Sequence, residues 1–402
     1  MSDPALIYTD ISQPADKAGT HVLIIGVGDY LFGKGKAEVT SVGDDLQQLS
    51  SPPISARAMA DWFIKHYRNT AKPLASVAML LSESPDADYQ VPGQSDSGQS
   101  DSAPPGLVRV PRANLANVVE ATKAWVEQLK SNRDHMAVFY FCGHGFSAGD
   151  HASLLLEDFG KTGGELEAAI DLTKLCAVMK NSPAIQQVFL LDCCRSDVDR
   201  KYEGNVPIGS GMVSILKFER GHSSAPQQFV LFPTIDGAEA FGVKNKVSVF
   251  SKSILDALSF AAADAKTGPW KTTTGNLLTE VTRLVNLRLP PQFLDRGKPN
   301  ALDASSFEFN EIDIPIVTRS FVTLSDLGAW KAAELQCAHG KGTEPTQSQR
   351  GSDSGVENCC KFDLSSDTWL FSGTLPPDQS LTISPQTRYL TPPVAYVTLK
   401  VQ

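Results

Sequence analysis

Two short stretches of this chain carry the residue types of nucleophilic catalysis. "VFLLDCCRSD" (188–197) is an apolar run ending in Asp192, Cys193, Cys194 and Arg195, and "VFYFCGHGFSAG" (138–149) delivers Cys142, Gly143, His144 and Gly145. A thiol attacks a carbonyl only as the thiolate, and a free cysteine has a pKa near ~8.5. A neighbouring imidazole can take that proton and later return it to a leaving amine. Glycines on both sides of His144 leave its ring uncrowded and allow close backbone approach. Side chains alternate along a strand, so at most one of Cys193 and Cys194 can face His144.

Both stretches need a scaffold that ends two strands side by side. Five continuous apolar runs, "HVLIIGVG" (21–28), "SVAMLL" (76–81), "MAVFYFCG" (136–143), "QVFLLDC" (187–193) and "FVLFPT" (229–234), read as strands buried on both faces. Helical spacing fills the intervals at 54–67, 112–130 and 171–181, and continues at 248–265 and 275–289. This alternation predicts an α/β fold, a parallel sheet with helices on both faces. Its sites belong at the carboxyl ends of the strands. The polar duplication "GQSDSGQSDS" marks 84–110 as a mobile surface insertion, and 196–227 is a long connection between the fourth and fifth runs. From about residue 307 the pattern alternates, which predicts two units: 1–306, and a smaller β-rich unit at 307–402 with a flexible loop at 339–358. Trp330, Trp369, Phe371 and Tyr396 are expected in the core of that second unit.

Composition narrows the function classes. The chain has 402 residues, 42% hydrophobic and 20% charged, with a net charge of −9. This is the profile of a folded protein with no electrostatic support for a nucleic-acid partner. The acid- and proline-bearing start does not resemble a signal peptide, and no apolar run approaches the ~20 residues of a spanning helix. No membrane partner is expected. Seven cysteines in so long a chain, four of them in adjacent pairs, fit a reducing cytoplasm better than a disulfide scaffold. Cys337 and His339 with Cys359 and Cys360 lack the usual C-x₂₋₄-C spacing of structural zinc, so no metal is assigned to them. "GVGDY" (26–30) lacks the rest of a phosphate-loop pattern and is placed instead on the catalytic face. His21, His66, His135, His151 and His222 receive no role and are expected at the surface or at strand edges.

The quoted stretches, together with "PRANLANVVEATKAW" and "FVLFPTIDGAEAFG…VSVFSKSILDAL", resemble a caspase-like cysteine peptidase of the bacterial branch near metacaspases, over about residues 20 to 290. The resemblance implies a caspase-like α/β/α sandwich. Caspases carry their histidine about 50 residues before the cysteine, and here Cys194 follows His144 by 50. In that family the third residue of Asp-x-Cys is the nucleophile, which selects Cys194. His144 is then general base and acid, and the amides of Gly145 and Cys194 form the oxyanion hole. No third, orienting acid is implied, so a dyad is expected.

By the same resemblance Asp192 lines the S1 pocket and selects Arg or Lys, Arg over Lys, with Cys142 where relatives often have Ser. Ser55 stands where metacaspases usually offer a second pocket acid, and Arg195 is placed to neutralise Asp192. Both departures leave the P1 residue open. Calcium, which metacaspases often need, is not assigned, because Glu157, Asp158, Asp171, Asp197 and Asp199 do not form a complete oxygen set. The connection at 196–227 corresponds to the inter-subunit linker, with Arg200, Lys201, Lys217 and Arg220 as processing sites for the enzyme itself or an upstream activating protease, and a sensor is the other partner implied. The expected function is a latent cysteine endopeptidase acting on protein substrates, of the kind bacteria use in antiviral defence or cell suicide. A catalytically silent scaffold and a same-clan peptidase with another P1 preference are the alternatives.

Overall fold

The apolar runs pair side by side in the order their burial requires. The computed structural model describes residues 5–402 apart from 11, 13, 15–16, 94–105, 149–150, 164–165, 194–195, 198–207, 215, 217, 219–225, 234–241, 266–268, 290–297, 355–356 and 377–379. The seven strands of the main sheet are β1 (Leu6–Thr9), β2 (Thr20–Val27), β3 (Leu74–Ser82), β4 (Met136–Gly143), β5 (Gln186–Cys193), β6 (Gln227–Phe232) and β7 (Asn300–Leu302). They lie in the order β1-β3-β2-β4-β5-β6-β7. The five central strands are parallel, and short antiparallel strands close both edges.

Helices cover both faces because each inner strand has two apolar faces to bury. α1 (Ser51–His66), α4 (Val249–Asp256) and α5 (Thr274–Arg288) pack on the face carrying Val138, Tyr140 and Cys142 of β4. α2 (Leu115–Leu129) and α3 (Leu172–Met179) pack on the face carrying Phe139 and Phe141. Burying one such phenylalanine contributes roughly 2–3 kcal/mol. The helix starts are written in the sequence: Pro52 and Pro53 open α1, and Asn114, Asp171, Ser248 and Thr273 cap the other four through their side-chain oxygens. The single helix expected over 248–265 is broken: α4 passes into a π turn at Ala257–Ala261.

Chain reversal around β2 puts β3 on one side and β4 on the other, so the sheet has its topological switch point between β2 and β4. Beyond it, Gly145–Ala148 pairs with His151–Leu155 and, in parallel, with Ser196–Asp197. The base of the 84–110 insertion is tied down: Tyr89–Gln90 pairs with Leu107–Val108, and Tyr89 and Val91 are buried.

Two small sheets enclose a separate core after residue 317. One holds Thr318–Leu324, Cys360–Leu364 and Val394–Leu399; the other holds Glu334–His339, Gln347–Arg350, Thr368–Thr374 and Gln386–Tyr389. Trp330, Trp369 and Phe371 fill this core, whereas Tyr396 leaves it to stack on Phe321, with ring centroids 5.5 Å apart. Glu308–Glu311 alternates like the second unit but pairs with Lys271–Thr273, and Phe307 and Phe309 join the first unit's core. The loop at 339–358 includes a paired strand, Gln347–Arg350. Among the described residues no helix is long and apolar enough to cross a membrane.

Candidate active site

The carboxyl ends of β2, β4 and β5 open into one cleft of about 770 Å³. Gly28 and Asp29 line it from β2, Cys142, Gly143 and His144 from β4, and Asp192 from β5, with the first turns of α1 and α4 opposite. The "GVGDY" stretch therefore contributes Gly28 and Asp29 to the cleft wall.

Register places the two sequence stretches against each other. Asp192 pairs with Cys142 and Cys193 with Gly143 across β5 and β4. Past the strand ends, Ser196 pairs with Phe146. The chain on either side of Cys194 is thus held beside the His144–Gly145 corner, although Cys194 and Arg195 lie outside the described residues. Cys193 is 2% exposed and packs on the far face with Phe189 and Leu191, away from the side of Asp192. Strand alternation accounts for this.

His144 is held from three directions. Its backbone N–H donates to the Tyr30 hydroxyl at 2.7 Å, the Tyr30 ring packs on the imidazole with centroids 4.9 Å apart, and Nε2 lies 2.9 Å from the carbonyl oxygen of Gln47. A carbonyl can only accept, so Nε2 carries the proton and the neutral ring keeps Nδ1 as its acceptor. Burial lowers the His144 pKa, and the bond to Gln47 partly offsets this. Gln48 fixes the loop that supplies both partners. Its side chain accepts from the Tyr30 amide at 2.9 Å and donates to the carbonyl oxygens of Tyr30 and Lys34.

Asp192 is 5% exposed and accepts through Oδ2 from the hydroxyls of Ser248 and Ser251. Tyr140 and Ser251 share a 2.6 Å hydrogen bond. With the Ser251 proton given to Asp192, Tyr140 must donate. The Ser251 amide caps α4 on Ser248 Oγ at 2.9 Å. Every one of these groups donates toward the carboxylate, and the α4 N-terminus adds partial positive charge, yet burial still raises the Asp192 pKa. Burial pushes the Cys142 thiol beside it up as well.

Ser55 occupies a different place from the one expected. It is fully buried, accepts from the Ser248 amide at 3.0 Å, and supports the cleft wall from behind. The sequence reading missed Gln47, Tyr30, Ser248 and Ser251. The last two are legible in "SVFS", a Ser-x-x-Ser helix start, whereas the Gln47 contact is made by a backbone atom and leaves no residue signature.

A second set of charges braces the β2 and β3 ends. Arg112 reaches Asp29 and Glu157, each at 2.7 Å, and Asp86; Lys36 pairs with Asp29, and Ser82 donates to Glu157 at 2.6 Å. Of the acids weighed for calcium, Glu157 is committed here, Asp158 accepts from the Leu115 amide, and Asp171 caps α3. Asp199 and the side chain of Asp197 lie outside the described residues, as do Arg200, Lys201, Lys217 and Arg220. Among the described residues no three His, Cys, Asp or Glu side chains are grouped to hold a metal. His339 bonds to Thr343 and Asp367, while Cys359 and Cys360 face different cores. His21 and His135, expected at the surface or at strand edges, lie at the starts of β2 and β4, where both are buried and meet edge to face at 4.6 Å.

The family model for the Caspase domain matches residues 20–320. The chain belongs to the caspase-domain family of cysteine peptidases. The matched span contains the main sheet apart from its edge strand β1, the cleft, and the start of the first strand of the β-rich unit. The chain is similar to the uncharacterized protein y4kE of Sinorhizobium fredii, with 29% identity over 153 residues that cover 34% of this chain. It spans about two fifths (40%) of that curated relative's length. Among solved structures, protein GSU0716 from Geobacter sulfurreducens aligns with a TM-score of 0.42 at 14% identity, covering 71% of this chain and 92% of the other. Caspase-1 from Spodoptera frugiperda aligns at 0.40 with 9% identity, covering 71% and 86%.

Proposed function

We propose that the protein is a cysteine endopeptidase that cleaves protein substrates after a basic residue, Arg over Lys. The observation that carries this is the register around the cleft: Cys193 opposite Gly143 and Ser196 opposite Phe146 bring the chain before and after the Cys194–Arg195 pair beside the His144–Gly145 corner. In this reading Nδ1 of His144 takes the Cys194 proton and the thiolate attacks the scissile carbonyl carbon. The amides of Gly145 and Cys194 hold the resulting oxyanion. The carbon–nitrogen bond then breaks, and His144 passes its proton to the leaving amine. Water, deprotonated by His144, releases the acyl group from sulfur. Gln47 keeps the ring in the tautomer that these transfers need.

Asp192 supports the basic P1 preference. It is a buried carboxylate on the cleft wall whose described partners are neutral hydroxyl and thiol groups, so a substrate cation offsets its desolvation. Latency follows in the same reading from the 196–227 connection, cut at Arg200, Lys201, Lys217 or Arg220 while the fragments stay associated.

The test is a peptide library incubated with wild type, Cys194→Ala and Cys193→Ala, with and without calcium and a trace of trypsin. Cleavage after Arg or Lys, lost in Cys194→Ala and kept in Cys193→Ala, is expected. Cleavage after other residues removes the role of Asp192, and no cleavage under any condition removes the peptidase reading.

A further inference from the structure

The caspase domain and the β-rich unit meet through a buried ion pair that leads back to the cleft. Arg288, the last residue of α5, is 3% exposed. Its guanidinium pairs with Asp256 at the end of α4, donates to Ser253 Oγ at 2.8 Å, and reaches Glu357 of the β-rich unit at 3.0 Å. Lys252 at 2.7 Å from Asp256 and Lys361 at 2.7 Å from Glu357 complete the charge balance. The next residue pins the same joint: the Asn358 amide donates to the Leu287 carbonyl at 2.8 Å and its side chain to that of Leu289 at 2.7 Å. Cys359 then inserts into the caspase-domain core.

The other end of α4 is the Asp192 pocket. Ser248 and Ser251 form its first turn, Asp256 its last residue, and eight helical residues span about 12 Å. A helix this short moves as one body. Further contacts of the interface fall on the turn after it, where Phe321 stacks on Phe260 and Arg319 lies over the Phe260 ring at 4.5 Å, and on α5, where Arg283 lies over the Tyr396 ring at 5.5 Å.

We propose that Arg288 and Glu357 are positioning residues for the Asp192 pocket, so that the β-rich unit fixes the helix whose first turn holds the pocket carboxylate. A buried guanidinium left with one carboxylate instead of two must shift toward it or admit water, and either displaces the end of α4. The consequence for specificity rests on the reading of Asp192 as the P1 acid; the mechanical link to the helix does not.

The test is hydrogen exchange in the full chain, read at the Ser251 amide, whose bond to Ser248 caps α4. Glu357→Gln is expected to speed that exchange about tenfold or more, by removing a charge from a buried network. Tyr396→Phe, which deletes only the hydroxyl donated to Glu280 at 2.8 Å in the same interface, is expected to leave it within about twofold. In parallel, KM for an Arg-P1 peptide rises about fivefold in Glu357→Gln with kcat little changed, the signature of a disturbed binding pocket. Unchanged Ser251 exchange in folded Glu357→Gln overturns the proposal, as does an equal response to Tyr396→Phe. Should Glu357→Gln not fold, Lys361→Met, which strips only the outer partner of Glu357, must give the same ordering at smaller amplitude. Altered exchange without cleavage in any variant supports the link and retires the peptidase reading alone.

Discussion

Nε2 of His144 sits 2.9 Å from the carbonyl oxygen of Gln47, and this contact decides which nitrogen of the ring can work as a base. The proton stays on Nε2 and Nδ1 is the acceptor, so in the proposed dyad the loop after β2 does the work that a carboxylate does in a catalytic triad. That loop is itself held by the Gln48 side chain, so the tautomer of His144 depends on a residue that never touches it.

The pH dependence follows from the His144 shift. Burial lowers its pKa, so the neutral ring that accepts a proton persists below the ordinary imidazole range. Activity is lost as pH falls through the lowered value. The ascending limb of kcat/KM against pH is therefore expected to have its midpoint below 6.5, the ordinary imidazole value. A midpoint above 6.5 would mean that the thiolate–imidazolium pair is the resting form and that burial does not dominate.

Gly143→Ala tests the positioning of the histidine without touching it. A Cβ there would lie 2.9 Å from the Tyr30 hydroxyl and 3.1 Å from the Phe141 ring, so Tyr30 must move. Tyr30 in turn accepts from the His144 amide. Overpacking of this kind costs about 1–3 kcal/mol of stability, which a domain with so large a core survives. The loss in kcat is expected to be far larger than the loss of fold, about a hundredfold for a displacement near 1 Å. Thermal melting and steady-state kinetics on the same sample separate the two, and a variant with wild-type kcat would show that Tyr30 has no part in placing the ring.

The central strands were legible because β2, β4 and β5 are buried on both faces and so read as unbroken apolar runs. The pairing of His144 with the cysteine stretch was legible because both follow such runs. Partner choice was not legible where only alternation was available. Glu308–Glu311 has the pattern of a half-buried strand, and that pattern does not say which sheet it joins. Ser55 was placed in the pocket by analogy of position, yet its hydroxyl faces the Ser248 amide, a contact made across 193 residues of chain. The burial of His21 and His135 at the starts of β2 and β4 was not legible, because polarity says nothing of a partner. In the fold each finds a hydroxyl or amide, His21 at Ser76 and His135 at Gly19 and Ser131.

Asp192→Asn separates binding from stability, with opposite signs. The folded-state pKa of Asp192 lies above its ordinary value because of burial. Its stabilising protonated form is fully present below the unfolded carboxylate pKa, and that contribution is lost as pH rises through the folded pKa. At neutral pH the fold therefore carries a buried anion at a cost, which the isosteric amide removes. Asp192→Asn is expected to melt at or above the wild-type temperature at pH 7, with the gap closing toward acid pH. Selectivity for Arg at P1 falls by about a hundredfold, the cost of losing a buried charge partner. A variant that is less stable at pH 7 and keeps its Arg preference would place the P1 contact elsewhere.

Thiol reactivity gives the most direct view of the nucleophile, because the other cysteines are disabled by the same burial that builds the fold. Burial pushes Cys176, Cys359 and Cys360 up to about 12, and raises Cys142 and Cys337 as well. Their thiolate fraction near neutrality is negligible, and alkylation proceeds through the thiolate. Cys193 is shut into the sheet-helix core with Phe189 and Leu191. Brief iodoacetamide treatment of the native protein at pH 7 is therefore expected to add one carboxamidomethyl group, on Cys194, at a rate that falls sharply in His144→Ala. The same treatment in denaturant should label all seven cysteines of the chain. Native labelling that goes first to Cys193, or that ignores the loss of His144, would break the dyad even if the fold is right in every strand.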